Sequence, residues 1–248
     1  MMARGHAISG AAGWLGLCAA ATAWGGFDPS PIQVAAGTVV ATGFALLPDL
    51  DHPRSTVARS LGPASRALAR VVSWVSDAVR DGTCQHCRTP GTHGHRTLTH
   101  TLLFAVVAGL GVSAAGWRWG VAAAAIVIGL AAGLAALALP GRRRVWAAAA
   151  LAGLLAGWAT WRLGGDGWWW LGVPAGLGTL IHIAGDSATE HGCPILAPLV
   201  RIRGCRWRRL ALPSWLAFRT GGWFERWVVT PVLVLGGAAA AGWLIYVS

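Results

Sequence analysis

Lysine is absent from this chain of 248 residues, and all twenty of its basic residues are arginine. Tyrosine occurs once, methionine twice and acidic residues nine times, so that only 12% of the chain is charged while 55% is hydrophobic. So little charge, with a mean hydropathy of +0.55, excludes an ordinary water-soluble domain of this length and points to a bilayer as the solvent. Cysteine is sparse and odd in number, at positions 18, 84, 87, 193 and 205, one of them inside an apolar run. That pattern argues against a secreted disulfide framework and for a reducing compartment. The formal net charge of +11 would suit nucleic acid. The arginines, however, stand between apolar runs rather than on one basic domain, so they read as flanks of membrane spans and no nucleic-acid partner is expected.

What is abundant is apolar sequence in runs of span length. Seven such runs cover about 7–26, 32–47, 98–116, 119–139, 145–161, 168–184 and 227–247, against the roughly 17–25 residues that a bilayer requires. The first is as long as a bilayer needs and reads as a retained span rather than a signal peptide; 32–47 and 168–184 are short. Glycine and alanine are plentiful in these runs, which lets membrane helices approach closely, and tryptophan gathers near their ends, as interfacial anchors do. The expectation is an all-α polytopic bundle of about seven spans, six being possible, in a single membrane domain over 1–248.

Alternating the spans puts eighteen arginines on one side and only Arg118 and Arg162 on the other. Since cytoplasmic loops carry the arginine excess, the N-terminus is expected in the cytoplasm, the C-terminus outside, and loops 53–97, 140–144 and 185–226 in the cytoplasm of an inner-membrane protein. Within 53–97, Leu68, Val71, Val72, Val75 and Val79 recur at helical spacing, with Arg66, Arg70, Asp77 and Arg80 on other faces; this predicts an amphipathic helix lying on the membrane. The stretch 201–227, rich in arginine and tryptophan, suits an interfacial surface beside anionic headgroups. Membrane lipid is therefore the expected partner, and the oligomeric state is left open.

Four polar clusters fall on the cytoplasmic side: His6; the turn from Pro48 to Pro53 with Asp49, Asp51 and His52; the segment from His95 to His100; and His182 with Asp186. The topology came from arginine alone, so their convergence argues independently for a shared site. Aspartate and histidine suit zinc, manganese or iron, and helix ends give each side chain a direction without leaving a bare charge in lipid. His182 and Asp186, four apart, share a helical face. Asp49 and Asp51 could hold one metal or bridge two, and His52 could bind directly or support another ligand. Thr97 or Thr99 is available to cap the helix that follows.

The motifs LLPDLDHP, HRTLTH and HIAGDSATEHGCPILAP, after an N-terminal His and with apolar spans between them, resemble the YdjM-type membrane-bound metal-dependent hydrolases, often described as LexA-binding inner-membrane proteins. The later element from Arg219 to Glu225 is similar too. The resemblance implies a metal-dependent hydrolase and carries over to His6, Asp49, Asp51, His52, His95, Arg96, Thr99, His100, His182, Asp186 and Thr189. This sequence departs from the pattern at Gly185, where the family commonly has an aliphatic residue, and His191 is an addition. The order of these residues is more loosely similar to zinc-dependent phospholipase C enzymes, which would suggest phosphoester cleavage.

The expected function is thus hydrolysis at a divalent metal, zinc favoured, held by His6, Asp49, Asp51, His52, His95, His100, His182 and Asp186. In that reading Asp51 accepts the water proton, Arg96 neutralises a phosphate, and a lipid or lipid-linked phosphoester fits a site at headgroup depth. Cys84 and Cys87 with His93 form a possible second, structural zinc site, although their spacing follows no standard pattern. A transporter would need polar residues at span centres, which are lacking. The remaining alternative is a non-catalytic anchor or regulatory scaffold with a structural metal site.

Overall fold

The small residues of the apolar runs set how closely the backbone packs. A side chain added at Gly178 would sit 2.3 Å from the Ala41 carbonyl oxygen, one at Gly10 2.5 Å from that same oxygen, and one at Gly43 2.4 Å from the Ala131 carbonyl oxygen. Gly129, Gly153 and Gly157 likewise bring two helices to backbone contact. The protein, a computed structural model, is described over residues 1–26, 28–52, 55, 58, 63–83, 96–139, 144–165 and 167–247. Among these it is helical and without strands: α1 (Ala3–Ala23), α2 (Pro31–Phe44), α3 (Pro63–Thr83), α4 (Leu102–Ala136), α5 (Arg144–Leu163), α6 (Gly172–Ser187) and α7 (Thr230–Val247).

The direction of each helix follows from its neighbours. α1 leaves the end of the bundle where His6 meets Asp186. α2, started by a capping box between Ser30 and Gln33, returns to that end, where the Ala45 carbonyl accepts from His182. In α4, Gly120 is non-helical at φ 51°, ψ −128°, a conformation that glycine adopts without strain. Before it, Gly116 abuts Trp168 at the far end; after it, Ala131 meets Gly43 and Leu134 packs beside Leu46, back at the first end. α4 is therefore a helical hairpin, separating as expected near 117–119. α5 runs outward against its second half, α6 runs back to the site, and α7 leaves again beside α1, with Gly237 on Ala12.

Among the described residues, seven helical passes thus alternate between two ends. Three stretches, Pro31–Asp51, Leu102–Ala136 and Glu225–Val247, are long and apolar enough to cross a membrane by length and composition; the expected count of seven crossings is not reached on that criterion. The core is small and aliphatic, with Val40, Ala124, Ile128, Ala131, Leu171 and Ala175 buried together under Trp168. The perimeter is apolar as well, with Leu110, Ile126, Leu154 and Leu235 exposed. An apolar exterior around a core of small residues is what lipid, not water, requires.

Some details of the sequence reading are corrected. Helix α1 begins at Ala3, so His6 lies in its first turns, and α6 starts only at Gly172 after a 3-10 turn over Trp168–Leu171. The cap of α4 is Thr101, whose hydroxyl accepts from the Phe104 amide at 3.2 Å, rather than Thr97 or Thr99. Cys205 is disulfide-bonded, where the sequence pointed to a reducing compartment, while Cys18 and Cys193 are free.

Close helix contact yields a direct test. Gly178→Val would drive a branched side chain into the backbone of Ala41, and overpacking costs typically about 1–3 kcal/mol. The melting temperature in detergent should fall clearly, whereas Gly16→Ala, with no neighbour within 4 Å, should leave it unchanged or raise it.

Candidate metal centre

Two short 3-10 turns and two helices build the site. Pro48 opens the turn Pro48–Asp51 directly after α2 and holds Asp49 and Asp51 there. Leu98–His100 forms the second turn, and because Thr101 caps α4, the hydroxyl of Thr99 is free for another use. It donates to Asp51 Oδ2 at 2.7 Å. His6 comes from α1, and His182 and Asp186 from successive turns of α6.

His6, His100, His182 and Asp186 are buried, and Asp49 is the open member with its side chain 21% exposed. Two sets of ligand atoms converge, each within 4.8 Å: His6, His182 and Asp186, and Asp49, His100 and His182. His182 belongs to both. The rings of His6 and His182 stack with centroids 3.7 Å apart, and Asp186 lies at the centre, with Oδ1 3.2 Å from His6 Nε2 and Oδ2 3.6 Å from His100 Nε2.

The tautomers can be worked out. His182 Nδ1 is 2.7 Å from the Ala45 carbonyl, which only accepts, so Nδ1 carries the hydrogen and Nε2 of the neutral ring is left with a lone pair. The single hydroxyl hydrogen of Thr99 goes to Asp51, so Thr99 accepts at its 3.0 Å contact from His100 Nδ1, again leaving Nε2 with a lone pair. These two Nε2 atoms face each other at 3.2 Å. Lone pairs at that distance repel unless a cation or a proton lies between them. Both nitrogens of His6 are buried without a well-formed hydrogen bond among the described residues: Nε2 meets Asp186 Oδ1 at 3.2 Å, and Nδ1 is left unsatisfied, a rare condition that asks for an explanation. Metal–ligand bonds of about 2.0–2.2 Å put neighbouring tetrahedral ligands about 3.3–3.6 Å apart, close to the spacings found here. The donor set fits a divalent cation.

Arg96 closes one side. Its guanidinium lies 2.9 Å from Asp186 Oδ2, reaches Thr189 Oγ1 at 3.2 Å, and is held although its own backbone has φ 56°. A non-glycine residue in that region costs about 1–2 kcal/mol, so the contacts of the guanidinium hold the backbone there. Beyond it, Cys193 and Leu210 pair through two backbone hydrogen bonds, which brings Arg209 near. Burial, then the charge of Arg96, lowers the pKa of Arg209 below the ordinary guanidinium range.

Of the remaining expected residues, Asp51 sits behind Thr99 and His100, 3.5 Å from His100 Nδ1, and joins neither convergent set. His52, partly buried, joins neither set as well. His95, Cys84, Cys87 and His93 lie outside the described residues. Glu225 was missed as a site residue: fully buried, it accepts from the Met2 amide and the Gly221 amide, both at 2.7 Å. It thereby ties the start of α1, and with it His6, to the segment before α7. The signal in the sequence was the family-like element from Arg219 to Glu225, which by itself gives its one acidic residue no role.

Comparison with protein families matches the description YdjM inner membrane protein over residues 1–141, more than half of the chain. The chain belongs to the YdjM inner membrane protein family. Comparison with curated proteins and with solved structures gave no match. The YdjM match covers His6, Asp49 and His100; His182 and Asp186 lie beyond it in sequence, and the fold brings them to the same point. As a family of the inner membrane, YdjM proteins have the bilayer that the apolar perimeter requires.

Glu225→Gln leaves one oxygen to serve two amides and turns an NH2 group toward the other, at a cost of about 1–3 kcal/mol. The melting temperature should fall and divalent metal should bind more weakly through His6, as titration calorimetry would read. For Cys193, burial, then the charge of Asp186, raises the thiol from its ordinary 9.0 to about 12. Between those values the unfolded chain holds fewer protons than the folded one, so this thiol lowers stability as pH rises. Folded protein at pH 8 should resist iodoacetamide at Cys193 and react there once denatured, as mass spectrometry would show.

Proposed function

We propose that the protein is a membrane-bound, metal-dependent hydrolase acting on phosphoesters at the cytoplasmic face of the inner membrane. The observation that carries this reading is the pair of imidazole Nε2 atoms facing each other at 3.2 Å, with Asp49, Asp186 and His6 around them. His6, Asp49, His100, His182 and Asp186 are the residues that would hold the ion, with zinc favoured by the nitrogen-rich set and manganese or iron as alternatives. Such a cation makes water nucleophilic near neutral pH and polarises the scissile group.

The chain's own residues supply the rest. The Ala45 carbonyl fixes the tautomer of His182, and the Asp51–Thr99 pair fixes that of His100, the supporting role that carboxylates commonly play behind metal-bound histidines. This moves Asp51 from proton acceptor to positioning residue. Asp49, the carboxylate with the widest exposure in the site, is placed to take the proton from water. Arg96 holds Asp186 in place and, with Arg209 nearby, offers positive charge to a phosphoryl group.

The seven alternating passes and the one-sided arginines support seven crossings, with the N-terminus in the cytoplasm. Arg118 and Arg162 stand at the far end of the bundle, just before the Gly120 turn and at the close of α5.

Elemental analysis of detergent-purified protein tests the reading. Wild type should carry a stoichiometric divalent metal that Asp49→Ala with Asp186→Ala loses and Cys84→Ser with Cys87→Ser keeps. Thr99→Val should weaken metal binding by about 10–100-fold without abolishing loading at high metal. Absence of metal after reconstitution, or its loss only with the two cysteines, would leave the scaffold reading in its place.

A further inference from the structure

Helix α3 has its polarity inverted for a protein in water. Its inward face is made of Ser65, Ala69, Ser76, Arg80 and Thr83: Ser76 is 1% exposed and Arg80 8%, and Thr83 Oγ1 accepts from Trp207 Nε1 at 2.8 Å. Its apolar residues point the other way, with Leu68 51%, Val71 56% and Trp74 70% exposed, and Val75 beside them. At 100° per residue these four fall within an arc of about 120°, while Arg66, Arg70, Asp77 and Asp81 occupy a third face. A contiguous apolar stripe rimmed by charge marks a membrane or partner surface. The chain belongs to an inner-membrane family, and α3 packs on the turns Pro48–Asp51 and Leu98–His100 at the site end of the bundle. The bilayer is therefore already beside it, and its length and charged rim suit the headgroup layer.

The location of α3 connects it to the chemistry. In the site, His100 and His182 are closed off completely, and Asp49 is the member reachable from outside. Asp49 sits on a turn against which α3 packs. We infer that α3 lies in the headgroup layer with Leu68, Val71, Trp74 and Val75 in the acyl boundary, and that it presents amphiphilic, membrane-borne substrates to the site at Asp49. The substrate half rests on the hydrolase reading; the membrane half does not. A lipid held in the leaflet keeps its tail beside the apolar stripe while its phosphate reaches the Asp49 side. A water-soluble phosphoester has no use for the stripe.

Full-length protein in vesicles of phosphatidylethanolamine and phosphatidylglycerol tests the first half. Photo-reactive benzoylphenylalanine at position 71 or 74 should form lipid adducts, detected by mass spectrometry, and at position 70 or 77 it should not. Equal labelling of both pairs, or no adduct at 71 and 74, overturns the placement. For the second half, Val71→Glu with Trp74→Glu should keep the metal content and the rate on bis(p-nitrophenyl) phosphate. The same variant should lose about tenfold or more on a long-chain phospholipid in those vesicles, equivalent to ~1.4 kcal/mol of presentation. Equal loss on both substrates, or none on the lipid, overturns presentation by α3. Wild type that hydrolyses neither probe fails the hydrolase reading and with it the substrate half, while the cross-linking result still decides where α3 lies.

Discussion

A carboxylate buried among three imidazoles is the constraint around which the bundle is organised. Asp186 is nearly inaccessible, and an unpaired charge in such a place would cost several kcal/mol. Its neutralisation draws in parts of the chain far apart in sequence: Arg96 from before α4, His6 from α1, and the Met1 amino group, which also contacts Oδ1. Each of these partners needs a support of its own. His6 depends on the hold of Glu225 on Met2, and Arg96 on Thr189 and the Gly192 carbonyl. The polar site is therefore an interlocked set in which few members can change alone, as low-dielectric networks generally are.

The glycines and alanines make that convergence possible. His182 reaches the Ala45 carbonyl because α6 lies against α2 with Gly178 on the Ala41 backbone, and Gly10 brings α1 to the same place. With lipid outside, apolar burial gives helices little reason to associate, so close packing has to supply the attraction. Small residues thus set the spacing that brings His182 of α6 against both His6 of α1 and His100 of the turn before α4. Larger residues would separate the helices and leave each histidine a lone polar group in a membrane.

Much of this was legible in the sequence because the signals are strong at the level of composition and periodicity. The apolar runs correspond to helices, the helical periodicity from Leu68 to Val79 falls within α3, and the described members of the four polar clusters lie at one end of the bundle, while even the break between 98–116 and 119–139 appears as the Gly120 hairpin. What could not be read were choices among equivalent neighbours. Three threonines stand at 97, 99 and 101, any of which could cap a helix; α4 starts at Leu102, so Thr101 caps it, and Thr99 donates instead to Asp51, a partner 48 residues away. Asp49 and Asp51 look alike in the chain, yet the tight turn points one toward the shared point and the other behind His100. The role of Glu225 could not be read because its partners are backbone amides, and these carry no residue identity to recognise.

The inverted polarity of α3 bears on how such a site could be both buried and useful. A metal centre sealed by tight packing excludes water, which strengthens the electrostatics of the site but also denies access to anything arriving from solution. If the accessible edge is the Asp49 turn, and the helix against that turn offers hydrocarbon to the outside, then the membrane itself becomes the route of approach. A molecule confined to the leaflet is already concentrated and oriented at that depth, with its polar group at the level of Asp49 and its tail along Leu68, Val71 and Trp74. On the proposed reading, part of the entropy cost of bringing a reacting group to the site would be met before binding, and a deep cleft would not be required.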